Sequence, residues 1–129
     1  MLKIHTSNNS KGLENIKATY EFPENGLSPW EQIDWMNERL PEFKGEAEIT
    51  IKTFSPYILN LLNLWLKRGE LGYENLEAWE EFWDEDTRTI YHNDLKIQNP
   101  GVELVDTRLL SDPISYIYEE YDKEVLSVV

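Results

Sequence analysis

Apolar and polar residues alternate along two stretches of this chain and recur at helical spacing along three others. From Glu14 to Phe22, Ile16, Ala18, Tyr20 and Phe22 fall on one side and Lys17, Thr19 and Glu21 on the other. From Ala47 to Phe54, Ala47, Ile49 and Ile51 oppose Glu48, Thr50 and Lys52. Period two predicts strands with one dry face and one wet face. Leu2-Lys3-Ile4 and Val102 to Val105 are short extended candidates, and Thr87 to His92 with Leu95 to Gln98 suggests a hairpin around Asn93-Asp94.

The helices open on proline. Ser28-Pro29-Trp30-Glu31 combines a cap, a first-turn proline and a capping-box acid. Trp30, Ile33, Met36 and Leu40 follow at helical spacing, and Pro41 is expected to end the run. Ser55-Pro56 opens a second helix through Ile58, Leu59, Leu61, Leu62, Trp65 and Leu66, closing at Lys67-Arg68-Gly69. That helix is apolar nearly all round and is expected to be the most buried element. Asp112-Pro113 opens a third, with Ile114, Ile117, Tyr118 and Tyr121 on one side. Leu76, Trp79 and Trp83 suggest a weak further helix. With no repeat and no linker, residues 1–129 are expected to form a single α/β domain. Its sheet should be mainly parallel, with helices chiefly on one face and an added antiparallel hairpin.

Composition narrows the chemistry. The chain lacks cysteine, so it has neither disulfides nor thiolate metal ligands. The first residues lack a signal-peptide core, and no eighteen apolar residues run together, so a cytoplasmic protein without a membrane span is expected. Charge is uneven. Residues 1–69 hold nine acids and eight bases, whereas residues 70–129 hold sixteen acids and four bases, together giving −13. An acidic half of this kind repels phosphate backbones, so direct nucleic-acid binding is disfavoured and another protein is the expected partner. Its most concentrated run contains Glu74, Glu77, Glu80, Glu81 and Asp84 interleaved with Trp79 and Trp83. Acids around aromatic anchors make a candidate docking rim; the plainer alternative is a solvated face. Glu21 and Glu24 are weak Mg²⁺ candidates, better explained as a strand end and a turn acid. Asp84-Glu85-Asp86 lacks the glycine and terminal Glu of a Ca²⁺ loop. His5 and His92 have no second ligand near them in sequence and are expected at the surface or hydrogen-bonded. No nucleophilic triad can be assembled, and no cofactor is expected.

Glu21-Phe22-Pro23-Glu24-Asn25-Gly26-Leu27-Ser28-Pro29, with Gln32 close behind, resembles the Walker B region of ABC-class ATPases of the OLD-like, SMC-related kind. Thr53-Phe54-Ser55-Pro56-Tyr57 stands where that family has its switch region. Leu104 to Asp122 resembles its closing segment, so the likeness runs from about residue 14 onward. The resemblance implies that Glu21 keeps a Mg²⁺-binding acid. It also implies that Phe22 replaces the water-polarising Glu, Ser28 a first His, and Phe54 the switch His. A phenyl ring neither accepts nor donates a proton, and neither a phosphate-binding Gly-x-x-x-x-Gly-Lys-Ser/Thr nor a signature helix is present. Phe22 and Phe54 are expected to be buried, filling space vacated by nucleotide machinery. The resemblance thus implies a non-catalytic interaction or regulatory module, a pseudo-ATPase lobe. The alternatives are a lobe completing a site on a P-loop partner, and an acidic decoy for a basic nucleic-acid-binding protein.

Overall fold

The computed structural model describes residues 1–22, 26–95, 97–98, 103–104 and 113–127. Element order is β1 (Leu2–Thr6), α1 (Ser10–Leu13), β2 (Tyr20–Glu21), α2 (Pro29–Phe43), β3 (Ile49–Thr53), α3 (Pro56–Arg68), a 3-10 turn (Tyr73–Asn75), β4 (Leu76–Asp84), β5 (Thr89–Asp94), β6 (Ile97–Gln98), β7 (Glu103–Leu104) and α4 (Pro113–Ser127). One five-stranded sheet runs β2-β3-β1-β4-β5, and β6 and β7 form a small separate ribbon. β1 to β4 are parallel and β5 is antiparallel to β4. The architecture is α/β, mainly parallel with an added hairpin.

The period-two pattern holds in this parallel sheet. β1 and β3 alternate buried and half-buried residues, and register sets Leu2 beside Ile49 and Leu76, and Ile4 beside Ile51 and Ala78. Towards the carboxyl ends the same dry face turns polar, because Thr6 stands beside Thr53 and Glu80, and all three are buried. α2 and α3 join one core with these strands, contributing Met36, Phe43, Ile58, Leu62 and Trp65. Lys3, His5, Thr50 and Lys52 on the opposite face are only half-buried.

Helix starts follow the expected chemistry in part. The Ser28 hydroxyl accepts from the Glu31 N–H at 3.2 Å, and the Glu31 carboxylate accepts from the Ser28 N–H at 3.2 Å, closing the capping box. The Ser28 backbone N–H first, and the Ser28 side chain after it, hold the Glu31 carboxyl below the usual carboxylate range. Ser55 takes the cap position of α3 without a side-chain capping bond, and its hydroxyl donates to Gln32 Oε1 at 2.6 Å. α3 ends as expected, with Lys67 and Arg68 in the last turn and Gly69 left-handed at φ 74°.

Four expectations need correction. Pro41 does not end α2, which continues to Phe43. A proline this late forfeits one helical bond, whereas the added turn buries Phe43 completely, 6.1 Å from the Trp65 ring. The strand expected over Glu14 to Phe22 is only Tyr20–Glu21, extended by bonds from Thr19 to Thr50 and from Phe22 to Lys52. Residues 76–84 form a strand and not a helix: Leu76, Ala78 and Glu80 face inward, and β1 and β5 supply main-chain partners on either side. The hairpin therefore turns at residues 85–88 and not at Asn93-Asp94. The Asp84 carboxylate accepts from the N–H groups of Asp86 (2.9 Å) and Thr87 (3.4 Å), and Arg88 takes the positive φ.

β4 outlasts β1, and two side chains make up the difference. Ser7 Oγ donates to the Glu81 carbonyl at 2.6 Å. The Asn8 amide donates to the Trp83 carbonyl (3.0 Å) while its oxygen accepts from the Trp83 N–H (2.8 Å), as a strand residue would. Gly12 packs directly behind. A Cβ there would fall inside contact distance of Ser7 Oγ and the Glu81 carbonyl.

Candidate functional site

Two places bring chemistry-bearing residues together. The first is a groove at the carboxyl ends of the parallel strands, where open α/β sheets commonly take ligands. Ser10, Leu13, Glu14, Glu21, Phe22, Lys52 and Phe54 line a cavity of about 330 Å³. The Lys52 ammonium lies 3.3 Å from the Glu21 carboxylate, which is solvent-exposed. Phe22 is buried at 7% exposure, with its ring edge-on to Trp35 at 5.1 Å. Phe54 is not buried as expected. It is 45% exposed and forms a wall of the groove, because the chain leaves β3 at Thr53 and turns into α3 there. Gln32 sits beneath, donating to the Leu27 carbonyl at 3.3 Å while accepting from Ser55. Glu24 lies outside the described residues. Within the groove, Glu21 is neutralised by Lys52, and the aromatic walls can contribute packing but no proton transfer.

The second place is the acidic strand itself. On the half-buried face, β4 presents Glu77, Trp79 and Glu81 beside His5 of β1 and His92 of β5. The Glu81 carboxylate is nearly buried, and its Oε1 takes both imidazoles: His5 Nδ1 at 2.9 Å and His92 Nδ1 at 2.6 Å. Trp79 stacks on His5 with centroids 4.7 Å apart and lies 6.2 Å from His92. Register explains the closeness. Leu95 N–H bonds the Ala78 carbonyl at 2.9 Å, which makes Glu81–His92 a non-hydrogen-bonded pair, the kind that holds side chains nearest. An ionised carboxylate only accepts, so each imidazole donates to Glu81 through Nδ1–H.

This arrangement revises the docking rim. Glu80 is wholly buried, with Asn93 Nδ2 donating to its Oε1 at 3.4 Å, and Glu81 is 4% exposed, so neither belongs to a surface rim. Glu77 is half-buried and lines a second hollow of about 400 Å³ with Trp79 and Asp94. Trp83 is half-buried, its indole N–H donating to Glu85 at 2.6 Å beneath the Lys11 ammonium, 4.9 Å from the ring. Asp84 serves the turn, and Glu74 is exposed in the 3-10 turn. The carboxylate–imidazole cluster escaped the sequence because 76–84 suggested a helix. The alternation Leu76-Glu77-Ala78-Trp79-Glu80 was the available signal. Among the described residues no group of three ligating side chains has metal-holding geometry, and no helix is long and apolar enough to cross a membrane.

Elsewhere α4 exposes an apolar row. Ile117, Tyr118, Tyr121, Val125 and Leu126 all face solvent, three of them spaced by four residues. No family model, no curated protein and no solved structure matches this chain.

Proposed function

We propose that this chain is a non-catalytic interaction module, a pseudo-ATPase lobe that binds another protein. The observation that carries the reading is the exposed apolar row of α4. Monomeric chains rarely leave contiguous apolar surface in water, and such patches mark interaction sites. The strand-end groove supports the absence of catalysis: where the resemblance places a water-polarising carboxylate, Phe22 is packed into the core. The acids that remain on or near the surface around α4 and the β4–β5 turn (Glu120, Glu124, Glu85 and Asp86) suit a partner bearing basic residues.

Capture of host proteins by the parent chain and by Ile117→Glu with Tyr121→Glu tests this. The parent should retain a partner that the double variant loses, with circular dichroism unchanged. Capture indifferent to both substitutions would remove α4 from the reading. Titration with Mg-ATP should give no binding heat and no turnover. Turnover abolished by Glu21→Gln would instead favour a lobe that works on nucleotide.

A further inference from the structure

β5 closes the sheet on one side, and among the described residues its only strand neighbour is β4. Nearly all of it is exposed, including Ile90 and Tyr91. The Leu95–Ala78 bond sets the phase of the ladder, so Thr89, Tyr91 and Asn93 turn their main chain towards β4. Ile90, His92 and Asp94 therefore turn their N–H and C=O groups outward. Proteins usually blunt such an edge with proline, lysine, a bulge or a cover. Thr89-Ile90-Tyr91-His92-Asn93-Asp94 contains neither proline nor lysine, and its register with β4 is unbroken.

We propose that β5 is a homotypic docking edge, on which two copies of this chain pair antiparallel about a two-fold axis at Tyr91. The backbone phase permits this register, since it sets outward-facing Ile90 against the partner's His92 and the reverse, exchanging hydrogen bonds at both. Charge selects it. Arg88, just before the strand, falls opposite the partner's Asp94, and the symmetry repeats the pair. Among the described residues neither side chain enters an ion pair within its own chain. Of the other registers the phase allows, one centred on His92 would set Ile90 against the partner's Asp94, and one centred on Ile90 would set Asp94 against the partner's Asp86, like against like, so each loses the Arg88–Asp94 pair. Tyr91 meets its own copy at the axis, where side chains of a non-hydrogen-bonded pair are nearest. The pairing would join two five-stranded sheets into one. It uses neither the strand-end groove nor α4, so it stands apart from the reading above.

Two chains of −13 repel at long range, and salt screens that repulsion more than it weakens hydrogen bonds at the edge. Sedimentation equilibrium across protein and salt concentrations should show a species of twice 15.3 kDa that grows with both. Ile90→Pro removes an outward N–H while sparing the bonds to β4, and should leave a folded monomer. Arg88→Glu should weaken the dimer, and Arg88→Glu with Asp94→Arg should restore it by reversing the pair. A monomer at every concentration and salt overturns the proposal. So does a dimer that survives Ile90→Pro, since the contact then lies elsewhere. Should Ile90→Pro unfold, the charge swap decides: a double variant no better than Arg88→Glu overturns it.

Discussion

His5 and His92, far apart in the chain, donate to one and the same oxygen of Glu81, at 2.9 and 2.6 Å. The carboxylate is inside the protein and the imidazoles shield it, with Trp79 stacked against the first. Both rings should accordingly hold their proton on Nδ1, the less common tautomer in water. Long-range ¹H–¹⁵N spectra report this directly, and a protonated Nε2 with bare Nδ1 on either ring would contradict the geometry. Glu81→Leu removes the acceptor from two donors and should cost about 2–4 kcal/mol in urea unfolding, whereas Glu81→Gln, which keeps an acceptor oxygen, should cost less.

Phe22 and Phe54 should respond oppositely to the same replacement. Phe22→His puts a polar ring into the core against Trp35 and should lose a few kcal/mol. Phe54→His changes a half-exposed groove wall and should fall within about 1 kcal/mol of the parent. Equal losses at the two positions would mean that the groove closes in solution.

The capping box gives α2 a pH dependence of known sign. Glu31 is held below its ordinary pKa, so its contribution is present above the unfolded-state value and lost as pH falls through the folded one. Ser28→Ala should lose about 1 kcal/mol at neutral pH. Glu31→Gln keeps an acceptor for the Ser28 N–H and should flatten the acid limb of the stability curve. An acid limb identical to the parent's would show that the box opens in solution.

Gly12→Ala should destabilise the chain by about 1–3 kcal/mol, because the new methyl meets Ser7 and the Glu81 carbonyl, and the carbonyl belongs to a central strand. A thermal melt suffices to check it. A variant as stable as the parent would place α1 further from β4.

The sequence was most legible where one local rule acted alone. Ser28 and Glu31 close their box, Gly69 caps α3, and the alternation around Ile49 and Ile51 is a strand with one dry face. It misled where two rules compete. Leu76, Trp79 and Trp83 fit a helical stripe, yet the same residues alternate, and main-chain partners on both sides decide for the strand. That choice moved Glu80 and Glu81 from the surface to the interior and hid the site they help form. Pro41 is a helix breaker by local preference and is overridden by what Phe43 gains in the core. Phe54 follows the same logic in reverse, since neither its type nor its spacing tells which way a strand end opens.

The sheet's far corner is completed by the Asn8 side chain, which both gives to and takes from the Trp83 main chain. Such a seam can age. Hydrolysis of that single amide to a carboxylate would replace its N–H donor with an acceptor facing the Trp83 carbonyl, and the upper end of β4 would lose one bond and gain a repulsion. Slow deamidation at this one position, followed by peptide mass alongside amide exchange at Trp83, would therefore act as a clock written into the fold. Fast exchange at Trp83 should track the converted fraction, and exchange unchanged after full conversion would show that the strand holds without its borrowed partner.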